Sequence, residues 1–92
     1  MSKTTLTLPE KFDISIISGL KGRFQKALEK EADTIEMNAD AVMHMDSSAI
    51  QLILSFQKAA AGQSKEVKII KASEGFETAA ELLGAHSLVN EV

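Results

Sequence analysis

The chain has 92 residues, a formal net charge of −3 and no cysteine. A length of this size predicts one small domain over residues 1–92. The absence of cysteine excludes disulfides, thiolate metal sites and cysteine nucleophiles. Tryptophan and tyrosine are also absent and the lysines are spread among acidic residues, so the chain offers no stacking platform or cationic groove for nucleic acid.

The hydrophobic content predicts a globular core rather than a membrane segment. Hydrophobic residues make up 45% of the chain. No apolar run reaches the roughly 18 residues that a membrane-spanning helix needs. The opening residues, Met1 to Thr5, lack the apolar stretch of a secretory signal. We therefore expect no direct membrane insertion and a cytoplasmic location.

The first part of the chain predicts a strand and then a long helix. Residues Thr4 to Leu8 alternate, with Leu6 and Leu8 facing inward. Asp13 is the predicted N-cap of the helix. The helix has a core stripe of apolar residues at three- and four-residue steps: Ile17, Leu20, Phe24, Ala27 and Leu28. Two glycines, Gly19 and Gly22, each weaken it by about 1 kcal/mol relative to alanine, and they mark either close packing or a tolerated cost.

The rest of the chain continues the alternation of strand and helix. A second strand turns three residues inward: Ile35, Met37 and Ala39. An amphipathic helix follows Asp46, and Val67 and Ile69 mark a third strand. Ser73 is the predicted cap of a last helix with apolar positions Phe76, Ala79, Leu82 and Leu83, and Gly84 is its predicted stop. Strands separated by helices require crossover connections, so the pattern predicts an α/β fold with a mainly parallel sheet.

The helix after Asp46 has an apolar surface wider than one packed face requires. One stripe contains Ile50, Ile53, Leu54, Gln57 and Ala61. Four further residues widen it beyond about 100°: Leu52, Phe56, Ala59 and Ala60. Burial against a neighbouring helix explains the excess, and a groove for a partner is the alternative.

Asp46, Ser47 and Ser48 stand at the start of this helix. Ser47 or Ser48 can be the N-cap, and Ser48 with Gln51 has the spacing of a capping box. A phosphoryl group on either serine would be favoured by the first-turn amides and by the helix dipole. Asp46 either orients Ser47 or binds a partner, or it is a turn residue whose carboxylate accepts backbone amide bonds.

These features, in this order, resemble those of the STAS domain family, the anti-sigma factor antagonist domains. The resemblance is carried by Leu8 to Asp13, Thr34 to Asp40, Asp46 to Ser48, Val67 to Ile70 and Glu81 to Gly84. It covers nearly the whole chain. The fold that it implies is a small open mixed, mainly parallel sheet of about four strands, packed with three to four helices.

The resemblance also implies a function. In the switching members of the family, the first hydroxyl residue after the aspartate is phosphorylated, and that residue matches Ser47; Ser48 is the weaker candidate. The implied role is that of a bacterial, non-enzymatic regulatory domain that binds a serine kinase or anti-sigma-type partner. The expected partner-binding residues are Asp46, Ser47, Ser48, Ala49 and Ile50. Phosphate on Ser47 would break the complex through like-charge repulsion and added hydration.

A constitutive adaptor is the alternative function. Some small STAS proteins are fixed subunits of lipid-asymmetry ABC transporters, and a chemotaxis or other signalling complex is a further setting without a phosphate cycle. Two positions depart from the family pattern. Pro9 stands where the family usually has glycine or its neighbour, and Ala49 replaces the glycine that normally follows the serines, which narrows the space beside Ser47. The Ala49 departure favours the adaptor, whereas the retained Asp46-Ser47-Ser48 motif favours the switch.

Catalysis, metal binding and a cofactor are not expected. His44 and His86 lie far apart in the sequence, with no carboxylate or thiolate at ligand spacing. A serine hydrolase built on Ser47 would need a nucleophile elbow and an oxyanion hole, and the sequence shows neither. No glycine-rich phosphate loop is present.

Overall fold

Strands and helices alternate along residues 2–85, the part of the chain that the computed structural model describes. The elements are β1 Lys3–Thr7, β2 Lys11–Phe12, α1 Ile17–Glu29, β3 Thr34–Asn38, β4 His44–Met45, α2 Ser47–Gly62, β5 Glu66–Ile70 and α3 Glu74–Leu82. The predicted open α/β fold with a mainly parallel sheet is therefore confirmed. No helix within residues 2–85 combines the length and the hydrophobicity needed to cross a membrane.

The strands form two small parallel sheets. The larger sheet has three strands in the order β1-β3-β5, with Leu6 opposite Met37 and Met37 opposite Ile69. The smaller sheet pairs β2 with β4, so that Phe12 lies opposite Met45. A parallel pair needs a crossover between its strands, and α1 and α2 supply the crossovers of the larger sheet.

The core lies between one face of the larger sheet and helices α1 and α2. The residues predicted to face inward from the first two strands are all buried, although two of them stand one residue beyond β1 and β3. These residues are Leu6, Ile35 and Met37 within the strands, and Leu8 and Ala39 just after them. Three phenylalanine rings join the smaller sheet to both helices. The ring of Phe24 lies 6.4 Å from that of Phe12 and 4.9 Å from that of Phe56, measured between centroids. These contacts hold the middle of α2 against α1.

The start of α1 differs from the prediction. The helix begins at Ile17, and Ile16 occupies the N-cap position without a side-chain cap. Asp13 is therefore not the cap. Its Oδ1 instead accepts hydrogen bonds from the amide and the hydroxyl of Ser15, which closes a turn before the helix. The predicted core stripe is confirmed, with Leu20, Phe24 and Ala27 buried.

Helix α3 is fixed against the segment that leads into β4. The predicted cap is confirmed, because the Ser73 hydroxyl oxygen accepts a hydrogen bond from the amide of Phe76 at 3.0 Å. The same hydroxyl donates to the carbonyl oxygen of Val42 at 2.5 Å. A Cβ atom at Gly75 would lie 2.7 Å from the carbonyl oxygen of Met43, so only glycine permits this approach. Gly84, with φ of +74°, follows the end of the helix as predicted.

Replacing Gly75 with alanine should destabilise the domain. The added methyl group would overlap backbone atoms of residues 42 and 43, which cannot move away as a side chain can. We expect Gly75→Ala to lower the free energy of unfolding by about 1–3 kcal/mol in urea denaturation. Gly22→Ala is the matched control. It adds the same group to α1, where a Cβ at Gly22 meets nothing within 4 Å. We expect the control to stabilise the domain by about 0.5–1 kcal/mol. Equal effects of the two substitutions would contradict the packing described here.

Candidate functional site

Two strand ends meet where α2 begins. Strands β2 and β4 are parallel and paired, so their carboxyl ends lie at the same edge of the smaller sheet. The amide of Asp46 donates to the carbonyl oxygen of Phe12 at 3.3 Å and continues this pairing by one residue. Helix α2 starts at Ser47 directly afterwards. The Asp46-Ser47 turn therefore follows the carboxyl end of β4, a strand that was not predicted from the sequence.

Asp46 is the N-cap of α2 and also joins α2 to the segment before α1. Its Oδ1 accepts a hydrogen bond from the amide of Ala49 at 3.1 Å, and its Oδ2 accepts one from the amide of Ile14 at 3.1 Å. The prediction that Ser47 or Ser48 caps the helix is therefore wrong, and so is the capping box with Gln51. The extended backbone of Asp46, with φ of −106° and ψ of −178°, makes it the last residue before the helix.

The same hydrogen bonds govern the charge of Asp46. Partial burial acts to raise the pKa of the carboxyl group, but the amides of Ala49 and Ile14 act to lower it, with lesser contributions from Ser48. The net result is a pKa below the ordinary aspartate value. Hydrogen bonding to the charged form therefore outweighs desolvation, and Asp46 is a carboxylate at neutral pH.

Ser47 is exposed at the first position of α2. Since Asp46 supplies the cap, the Ser47 hydroxyl makes no hydrogen bond with any other residue in the range 2–85. Ser48 is half-buried. The side chains of Ala49 and Ile50, by contrast, lie in the core at 0% and 4% exposure. Of the five residues expected to bind a partner, the structure thus presents the side chains of Asp46, Ser47 and Ser48, while Ala49 and Ile50 fix the helix to the domain.

A cleft of about 590 Å³ adjoins Ser47, between residues 43–47 and one face of α3. We call it the α3 groove. Its lining residues are Met43, His44, Met45, Asp46, Ser47, Glu74, Gly75, Thr78, Ala79, Leu82 and Leu83. Leu82 is 80% exposed and Met43 is 72% exposed. Leu82 was predicted as one of the apolar positions of the last helix, together with residues that are buried. Leu82 stands six residues after buried Phe76, about 240° around the helix. This angle can be read from the sequence and indicates that the two side chains do not share one face.

The wide apolar surface of α2 is mostly used inside the domain. Its buried residues are Ala49, Ile50, Ile53, Phe56 and Ala60, and Leu52 is partly buried against the core. Contact between Phe56 and Phe24 shows that α1 is the neighbouring helix. Three residues of this surface are exceptions, because they are exposed: Leu54, Ala59 and Ala61. Burial against a neighbouring helix therefore accounts for most of this surface.

The two histidines of the chain, His44 and His86, are candidate metal ligands by residue type. His44 is exposed at the edge of the α3 groove, and His86 lies outside the described residues. Within residues 2–85, no three histidine or carboxylate side chains are grouped closely enough to hold a metal ion.

A comparison with protein-family models finds a match over nearly the whole chain. The family model described as "Mlab, STAS domain" matches residues 1–90. The chain belongs to the STAS domain family. The predicted family is therefore confirmed. STAS domains are generally non-enzymatic, and membership of the family suggests a regulatory or adaptor role. No curated protein matches this STAS domain.

The capping role of Asp46 predicts different stabilities for two neighbouring alanine variants of the STAS domain. Asp46→Ala removes the acceptor of two backbone amides and should lower the free energy of unfolding by about 1–2 kcal/mol. Ser47→Ala removes an exposed hydroxyl without a partner among residues 2–85 and should change it by less than about 0.5 kcal/mol. Urea denaturation of both variants tests the assignment. A larger loss of unfolding free energy for Ser47→Ala than for Asp46→Ala would show that Ser47, rather than Asp46, caps the helix.

The lowered pKa of Asp46 predicts a loss of stability in acid. A group whose pKa is lower in the folded than in the unfolded state stabilises the fold fully above the unfolded value, about 3.9 for aspartate. That contribution disappears as the pH falls through the folded pKa. Asp46→Asn keeps a capping oxygen but does not titrate. The unfolding free energy of this variant should therefore fall less steeply than that of the wild type below about pH 5. Parallel pH profiles from urea denaturation would contradict this origin of the shift.

Proposed function

We propose that this STAS domain binds a protein partner through the surface around Ser47 and that phosphorylation of Ser47 releases the partner. The observation that carries the proposal is the division of roles at the start of α2. Asp46 caps the helix through its carboxylate, and Ser47 is left exposed with a hydroxyl unpaired within the described residues. The surface consists of Asp46, Ser47 and Ser48 together with the apolar residues of the adjoining α3 groove.

Phosphorylation at Ser47 is compatible with the fold. The group would stand in the first turn of a helix of 16 residues, where the dipole favours an anion by about 0.3–1 kcal/mol. The neighbouring carboxylate of Asp46 repels the phosphate. Because Ser47 is exposed, solvent screens this repulsion, and its energy is similar in size to that of the dipole. Neither term approaches the stability of a domain, about 5–15 kcal/mol. The modification therefore acts on binding rather than on folding.

Release follows from the cost of burying a phosphate. A phosphoserine carries about −1.5 to −2 charges at neutral pH. Removing an ion from water costs several kcal/mol per charge, and a cation of the partner repays this only where its geometry and hydrogen bonds fit the buried anion closely. A partner that covers Ser47 in its unmodified form would have to strip this hydration shell. Its contacts fit a neutral hydroxyl rather than a phosphate, so this cost outweighs the attraction of the phosphate to basic residues at the rim of the interface, where an exposed ion pair returns only about 0–1 kcal/mol.

The proposed partner is a serine kinase or anti-sigma-type protein, and the setting is the bacterial cytoplasm. Membership of the STAS family supports this class of partner. The Asp46-Ser47-Ser48 motif also resembles the motif that is phosphorylated in the switching members of the family. In this role the domain has no catalytic residue and no cofactor. The partner's kinase activity would supply the phosphate.

A constitutive adaptor is the second candidate. It is supported by the description of the matching family model, which names Mlab. It is also supported by the apolar α3 groove beside Ser47, because a lasting attachment needs buried apolar area. The proposed setting is then a subunit of a lipid-asymmetry ABC transporter or of a chemotaxis or other signalling complex. The same surface would be used, without a phosphate cycle.

Quantitative capture from the native host separates the two candidates. Wild type, Ser47→Asp and Ser47→Ala serve as baits, and bound proteins are measured by mass spectrometry. Ser55→Asp is the matched control, because it adds the same charge to another exposed serine of α2. We expect Ser47→Asp to lower retention of a kinase-type partner by about a hundredfold, equivalent to about 2.7 kcal/mol, while Ser47→Ala and the control retain it.

The opposite pattern supports the adaptor. If Ser47→Asp and wild type retain the same transporter or signalling component in equal amounts, Ser47 has no switching role. Loss of the partner with Ser55→Asp as well would point to net charge rather than to Ser47.

A further inference from the structure

We infer that the α3 groove receives a basic amphipathic helix of the partner protein. The inference rests on the proposed function and names the chemistry of the partner. Its first support is the concentration of exposed apolar side chains. Three of the five large hydrophobic residues exposed in residues 2–85 line this groove: Met43, Leu82 and Leu83. Such a grouping marks an interaction surface, whereas single exposed leucines do not.

The groove has one close-packed end. At Gly75, α3 lies directly against the carbonyl oxygen of Met43, where a Cβ atom would come within 2.7 Å. Leu82, two turns further along the same helix, is 80% exposed. Helix α3 thus has two apolar stripes. Phe76 and Ala80 face the core, and Ala79 and Leu82 face the groove. An incoming amphipathic helix carries apolar residues at successive turns. These residues can pack along a stripe whose members are three residues apart.

The charge around the groove determines the sign of the partner. Its lining residues include Asp46 and Glu74 but neither lysine nor arginine. Helix α3 carries two further glutamates, Glu77 and Glu81, and no basic residue. Three glutamates on one nine-residue helix would repel an acidic segment and attract a basic one. The occupant therefore combines apolar anchors with lysine or arginine at the rim.

Site-specific photo-crosslinking in the native host tests the inference. A photoreactive phenylalanine analogue replaces Leu82 in the full chain, and Thr78, which is exposed on the same wall, is the second position. Leu54 on α2 is the control position, because it is an exposed leucine outside the groove. Crosslinked peptides are then sequenced. We expect positions 78 and 82, but not 54, to capture a segment of another protein with apolar residues at helical spacing and an excess of lysine and arginine.

Charge reversal supplies a second readout in the same cells. Glu74→Lys should lower the crosslinking yield at position 82 by about tenfold, since it places a cation on the wall of the groove. Glu29→Lys makes the same change on an exposed residue of α1 and should leave the yield unchanged. Equal effects of the two substitutions would overturn the electrostatic argument.

Other captures overturn the inference. An acidic segment, a second copy of this chain, its own residues 86–92 or a lipid would each identify a different occupant. Absence of any adduct at both positions would show that the groove stays empty. The Ser47→Asp background separates this result from the proposed switch. If a basic helix is captured and the capture persists in Ser47→Asp, the result supports the inferred occupant of the groove and contradicts the switch. If an acidic segment is captured and the capture is lost in Ser47→Asp, the result contradicts the inferred occupant and supports the switch.

Discussion

The rest of the site depends on two hydrogen bonds that the carboxylate of Asp46 accepts. One oxygen accepts the amide of Ala49 and fixes the first turn of α2, and the other accepts the amide of Ile14 and fixes the approach to α1. A single charged group thus joins the start of α2 to the segment before α1, which lies 32 residues earlier in the chain. The lowered pKa of Asp46 is the electrostatic counterpart of this arrangement, because the folded domain stabilises the ionised form.

This arrangement allows one short motif to serve both the fold and the surface. Asp46 satisfies the backbone of the helix start, and Ala49 and Ile50 anchor it in the core. Ser47 is left without a structural task in the described residues, which is the condition for a residue that is modified without unfolding the domain. The Ala49 departure from the family pattern also has a different meaning here. Its methyl group is fully buried, so it does not stand on the exposed side of the helix with Ser47.

Much of the fold could be predicted because its signals are local and periodic. Alternation placed Leu6, Ile35 and Met37 on the buried face of the sheet, and the three- and four-residue spacing placed Phe24 in the core stripe. Capping at Ser73 was also predictable, since no competing cap residue stands beside it. The two-residue strands β2 and β4 were not predicted, because two residues have no periodicity and their pairing joins positions about thirty residues apart.

The site could be located from the sequence but not resolved. Three adjacent residues, Asp46, Ser47 and Ser48, are all good N-caps, and the choice depends on where β4 ends, which is a tertiary fact. Asp13 failed as a cap for a different, local reason, since its carboxylate closes a turn with Ser15. The α3 groove was missed because it lies between segments that only the fold brings together.

We propose that the state of Ser47 decides whether the partner is bound. The test is to isolate the domain from its native host as two separate fractions, partner-bound and unbound, and to map phosphate on the peptide that contains Ser47. We expect phosphate on Ser47 in the unbound fraction and an unmodified hydroxyl in the bound fraction. The same phosphate content in both fractions, or none in either, would contradict it.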